Sequence, residues 1–152
     1  MTPTHPRPLS PHLTIWKWGP GMLVSILHRV TGGALTVAGL AILTWWLLSI
    51  AGGTESYATF VADFSRTPLE WLGLPQIGGR FRLLFEMLTL KTILVILTWA
   101  FYQHLFSGLR HLVMDVGAGF ELKINRLFAV MTVVGAIFAT ALTWFALMGV
   151  GR

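Results

Sequence analysis

Val30-Thr-Gly-Gly-Ala-Leu-Thr-Val-Ala-Gly-Leu-Ala-Ile-Leu-Thr-Trp-Trp-Leu-Leu-Ser-Ile-Ala-Gly-Gly-Thr54 carries no charged side chain. A helix needs about 20 largely apolar residues to cross a hydrocarbon core, and this run exceeds that. Leu127 to Gly151 is a second such run. A third, Leu83 to about Leu112, is interrupted by Glu86 and Lys91, both close enough to one end for a tilted span to keep them near the interface. Hydrophobic residues make up 55% of the 152-residue chain and charged ones 11%, with a mean hydropathy of +0.71, a balance that excludes an ordinary soluble domain. The expected fold is therefore an all-α integral membrane protein. Its three transmembrane helices fall at about 26–50, 83–112 and 127–150, within a membrane domain over residues 22–152. Three spans without a large extramembrane domain leave little room for a complete active site or transport path, so the helices are expected to form part of a heteromeric bundle.

Residues 1–21 are proline-rich, with Trp16 and Trp18 beside Lys17, the composition of a segment lying at headgroup level. They show neither the apolar core of a secretory signal nor the Arg- and Ser-rich pattern of a transit peptide. Pro20 and Gly21 suit the start of a helix. Ala51 to about Arg82 mixes glycine, proline and both signs of charge, as expected of an external connection with a short interfacial helix around Phe60 or Trp71. The net charge of +5 comes from residues scattered around apolar helices, which points to membrane lipid and acidic cofactor groups as partners and away from nucleic acid. The chain has no cysteine, so it can supply neither a thiolate ligand nor an iron–sulfur cluster of its own.

Chemistry is concentrated where polar side chains enter the spans. His104 lies in the apolar stretch Trp99 to Asp115, where an ionisable group is costly and calls for a named partner. Gly108 and His111, four and seven residues on, share its helical face. The two imidazoles are separated by about 10.5 Å of helix rise, too far for one metal ion but suited to a flat macrocycle with acidic substituents. Gly108 leaves space for such a ring against the backbone. A histidine that only hydrogen-bonds a neighbouring helix fits the same spacing. Ser25, His28, Arg29 and Gly32 form a second polar stripe, which serves either an inward-facing site or side chains reaching for lipid phosphate. Three spans put both regions on one membrane side, where Arg110 also lies. Gly135 and Ala139 in the last span read as a small-residue packing surface. Arg7, Lys17, Arg29, Arg110, Lys123 and Arg126 on one side, against Arg66, Arg80, Arg82, Lys91 and Arg152 on the other, lean toward a cytoplasmic N-terminus.

Three motifs, Arg7-Pro-Leu-Ser-Pro-His-Leu-Thr-Ile15, Ser25-Ile-Leu-His-Arg-Val-Thr-Gly32 and His104-Leu-Phe-Ser-Gly-Leu-Arg-His-Leu-Val-Met-Asp115, occur in an order that resembles the cytochrome b membrane-anchor subunits of succinate dehydrogenase. Trp16 departs from the tyrosine often found there. The resemblance implies that His104 is one axial ligand of a haem b shared with a second small anchor subunit, and that Ser25 and Arg29 line a site for ubiquinone as substrate. It implies further that His28, Arg29 and His111 face the haem. The implied partners are an iron–sulfur subunit and a flavoprotein that oxidises succinate, so the chain is a subunit of an enzyme complex and not an enzyme alone. The implied location is a bacterial inner membrane in preference to a mitochondrial one. A haemless structural anchor, and a self-contained small cytochrome with both His28 and His104 on iron, are the alternatives.

Overall fold

The computed structural model describes residues 17–63, 66, 70, 73 and 90–150. The segment 1–16, the loop position Trp71 and the start expected for the second span at Leu83 lie outside these residues.

Helix α1, Pro20–Ala34, begins with proline in its first turn, where the missing N–H is no loss. It passes through a five-residue π-helical stretch, Leu35–Gly39, into α2, Leu40–Ala51, and the three together form one rod long and apolar enough to span a membrane. The rod starts earlier than the charge-free run because its first turns carry polar residues at the membrane edge. A short helix α3, Thr54–Asp63, follows the left-handed Gly53 and folds back so that Phe60 meets the Trp45 ring edge-on at 4.7 Å. Helix α4, Leu90–Asp115, is the second span and α5, Leu122–Val150, the third. Between them, Gly117 takes a φ of +84°, and the N–H groups of Gly117 and Ala118 donate to the carbonyls of Met114 and Val113. That turn satisfies the last carbonyls of α4 before the chain reverses.

Packing is inside-out relative to a soluble bundle. Large apolar side chains such as Leu47, Phe138 and Phe145 face outward, while the buried positions hold, beside Val24 and Phe60, mainly alanine and polar residues such as Thr31, Gln103, Ser107, Arg110, Thr132 and Thr140. Lipid tails are as apolar as leucine, so helices associate instead through close backbone approach and interhelical hydrogen bonds. The α4–α5 contact shows both. Phe106 lies against Gly135, 3.4 Å from where a Cβ would stand, Tyr102 Oη and Thr143 Oγ1 are 2.8 Å apart, and Trp144 Nε1 donates to Thr98 Oγ1 at 3.4 Å. The hydroxyls of Thr98, Thr132, Thr140 and Thr143 also turn back to carbonyls of their own helices, so none is left unsatisfied in an apolar surround. Gly21 lies beside the Arg110 and Asn125 side chains, which places the start of α1, the last turns of α4 and the start of α5 at one end of the bundle.

A double-mutant cycle on Tyr102→Phe and Thr143→Val should give a coupling of about 0.6 kcal/mol, and no more than about 1.7, in detergent unfolding. A coupling indistinguishable from zero would show that this contact does not hold α4 to α5.

Candidate functional site

His104 sits on α4 with its ring against α1. Its Nδ1 lies 3.0 Å from the His28 carbonyl oxygen and 3.4 Å from Thr31 Oγ1. A carbonyl can only accept, so Nδ1 carries the proton and the neutral ring keeps its lone pair on Nε2. The approach is close because position 32 has no side chain: a Cβ there would lie 2.9 Å from His104 Cε1. The neighbouring Gly33 faces open space, so of the adjacent pair only Gly32 has this steric duty.

The His28 ring stacks on that of His104, with centroids 3.9 Å apart and planes within 9°. Its Nδ1 is 2.9 Å from Ser107 Oγ, a hydroxyl whose own proton goes to the Gln103 carbonyl at 2.6 Å, so His28 is the donor in the pair. His111 meets His28 edge-on with centroids 5.5 Å apart. Gly108 lies close by, with its Cβ position 3.8 Å from His28 Cε1. His104, Gly108 and His111 thus share a face as their spacing requires, and that face meets His28.

Ser25 is half-buried and Arg29 exposed. They lie roughly 60–100° around α1 from His28, on the flank away from buried Val24 and Thr31. Val24 shares a groove with Ala129 and Val133 of α5, so Ser25 and Arg29 sit on the side of the imidazole stack that α5 does not cover. Arg110, expected to join the same cluster, turns instead into the bundle, where its Nη2 donates to Asn125 Oδ1. The ion pair found among the described residues is that of Arg66 with Asp63, so neither Arg29 nor Arg110 is paired with a carboxylate there.

Two contributions to the geometry of this cluster were not evident from spacing. Ser107 fixes His28, and its position three residues after His104 could have suggested a neighbouring face. The His28 carbonyl orients His104, and a backbone group leaves no mark in a sequence. No group of three or more potential metal-ligating side chains occurs among the described residues, and a metal held by His104 alone would lack a second protein ligand. His28 does not supply it in this arrangement. Metal–imidazole bonds are about 2 Å long, so two rings bonded to one ion from opposite faces have nitrogens about 4 Å apart and centroids farther still, unlike a parallel stack at 3.9 Å.

Fold and site together define a helical membrane protein with a half-buried pair of stacked imidazoles at one end of its bundle. The sequence model of the succinate dehydrogenase/fumarate reductase transmembrane subunit matches residues 3–143, and the chain belongs to that family. It is 34% identical to the succinate dehydrogenase cytochrome b556 subunit of Rickettsia conorii over 91% of this chain and 90% of the relative. Identity to the protein of the same name from Paracoccus denitrificans is also 34%, over 90% and 88% of the two chains. The human mitochondrial succinate dehydrogenase cytochrome b560 subunit is 36% identical over 80% of this chain and 59% of its own length.

Gly32→Ala should force the His104 ring to move and lower stability by about 1–3 kcal/mol, the usual cost of overpacking. Gly33→Ala should stay within about 0.5 kcal/mol of the parent. Equal thermal shifts for the two variants in the purified complex would show that His104 does not press on position 32.

Proposed function

We propose that this chain is a membrane-anchor subunit of succinate:ubiquinone oxidoreductase, holding a haem b through His104 and lining the ubiquinone-reduction site with Ser25 and Arg29. The observation that carries the reading is the His104 Nδ1–H bond to the His28 carbonyl, which leaves Nε2 as the only free ring donor. Metal-ligating histidines typically donate their other N–H to a carbonyl or carboxylate, which fixes the ring and raises its basicity. Glycine at 32 lets the His104 ring seat against α1, and glycine at 108 leaves room for the His28 ring. The residues present fit one axial bond. The second is assigned to a histidine of another small anchor subunit, in line with the "cytochrome b" in the relatives' names.

When bound, the haem supplies a one-electron store beside the quinone site. This chain's residues do the rest. Arg29 and His111 would donate to the haem propionates, and His28, whose Nδ1–H is committed to Ser107, would do so through Nε2 in its protonated form. Reduction of ubiquinone to ubiquinol takes two electrons and two protons and builds negative charge on the quinone oxygens. Arg29 stabilises that charge, and the Ser25 hydroxyl donates to a quinone carbonyl from the same flank. The electrons come from succinate oxidised on a flavoprotein and pass through an iron–sulfur subunit docked at this end. The chain lies in a bacterial inner membrane with its N-terminal end cytoplasmic, and residues 22–152 form its anchor domain.

His104→Ala should abolish the low-spin bis-histidine absorption of the assembled complex. His104→Met, which retains a possible ligand, should leave haem with an altered spectrum. An unchanged bis-histidine spectrum in either variant removes His104 from the iron.

Arg29→Leu and Ser25→Ala should each slow quinone reduction roughly tenfold to hundredfold, the effect of losing a charge-assisted hydrogen bond made mainly in the transition state. Succinate oxidation by an artificial acceptor that draws electrons upstream should change little. Parallel loss of both activities, or normal quinone kinetics in an intact Arg29→Leu complex, would reject the assignment.

A further inference from the structure

The Nδ1–H bond from His104 to the His28 carbonyl fixes the tautomer of the ring, but it sets the ring plane only loosely. A hydrogen bond tolerates a wide range of angles, and the last torsion of a histidine side chain has a broad minimum. A tighter constraint acts on the flat side of the ring. The His28 ring lies on it with centroids 3.9 Å apart and planes within 9°, so neither ring can tilt without moving the other. His28 is held in turn by α4. Its Nδ1–H donates to Ser107 Oγ at 2.9 Å, and His111 meets it edge-on. Ser107 is fully buried and its own proton is committed to the Gln103 carbonyl at 2.6 Å, so the hydroxyl has no freedom to turn elsewhere. Each helix therefore grips the histidine of the other: His104 of α4 is bonded to the backbone of α1, and His28 of α1 is bonded to a side chain of α4.

We propose that His28 and Ser107 are positioning residues for the axial ligand: Ser107 holds the His28 ring, and the stacked His28 ring sets the plane in which His104 presents Nε2. The proposal rests on the reading of His104 as a haem ligand and adds to it two residues that act on the iron only through His104. Groups behind a metal ligand commonly fix its orientation by hydrogen bonding. Here a flat ring does so by contact, and a buried hydroxyl keeps that ring in place. This role differs from donation to a propionate, which needs an imidazole nitrogen. Setting the plane of His104 needs only a flat face, so a phenyl ring at position 28 separates the two.

The test is electron paramagnetic resonance of the intact complex in its ferric state. The gmax signal of a low-spin bis-histidine haem follows the angle between the two axial ring planes, so a ring released from its clamp shows as a shifted and broadened signal. His28→Ala removes the flat face and should give the largest shift and broadening. His28→Phe and Ser107→Ala each keep a flat ring but lose the hydrogen bond, and both should fall between the parent and His28→Ala. Because Ser107 acts through His28, adding Ser107→Ala to His28→Phe should move the signal no further. A parent signal in His28→Ala overturns the proposal, as does a signal in His28→Phe as broad as that of His28→Ala, or a full further shift on adding Ser107→Ala to His28→Phe. Where His28→Ala does not assemble, Ser107→Ala, the loss of one oxygen atom, decides: an unmoved signal overturns the proposal. In all these outcomes His104 stays on the iron. A parent complex without a low-spin signal, or one whose signal survives His104→Ala, instead overturns the haem reading and the proposal with it.

Discussion

One hydrogen bond sets the chemistry of this end of the bundle: His104 Nδ1–H to the carbonyl of His28. It fixes the tautomer of one imidazole and brings a second parallel to it. It also requires α1 and α4 to approach closely at Gly32. Because that carbonyl lies in the first turns of the rod, the bond ties ring orientation to the placement of the whole first span. Ser107 repeats the arrangement one layer away, accepting from His28 and donating to the Gln103 carbonyl. A polar network of this kind is valuable inside a membrane, where no water competes for its partners.

The interior that supports it is made largely of small and polar residues, with most of the large apolar side chains turned outward. In the bilayer those outward side chains gain nothing from burial against one another, so helix pairing rests on close contacts such as Phe106 on Gly135 and bonds such as Tyr102 to Thr143. The Ser25 and Arg29 flank of α1 is left uncovered by α5. Family membership gives this open flank a natural reading as the side that meets the rest of an assembly.

The spans were legible because charge is scarce enough for its absence to mark a helix: most of each charge-free run, Val30 to Ala51 and Leu127 to Gly149, lies within a spanning helix, while Gly52 and Gly53 form the turn that ends the first. The short helix expected around Phe60 is α3. His104, Gly108 and His111 were legible as one face because helical spacing alone decides that. Spacing within a helix does not fix its rotation against a neighbour, so the stack of His28 on His104 and the turn of Arg110 toward Asn125 could not be read in advance. Nor could the role of the His28 carbonyl, since every residue has one.

The π-helical stretch Leu35–Gly39 separates the part of the first span that bears His28 from the part that meets α3. A π turn absorbs one extra residue while the helix on either side keeps its facing. The two halves of this span are thereby uncoupled in length: a chain one residue shorter between Ala34 and Leu40 could run as an unbroken α-helix and still aim its histidine stripe and its tryptophan pair as here. In a family aligned position by position, this is where a single-residue gap could fall inside a transmembrane helix without cost to the site.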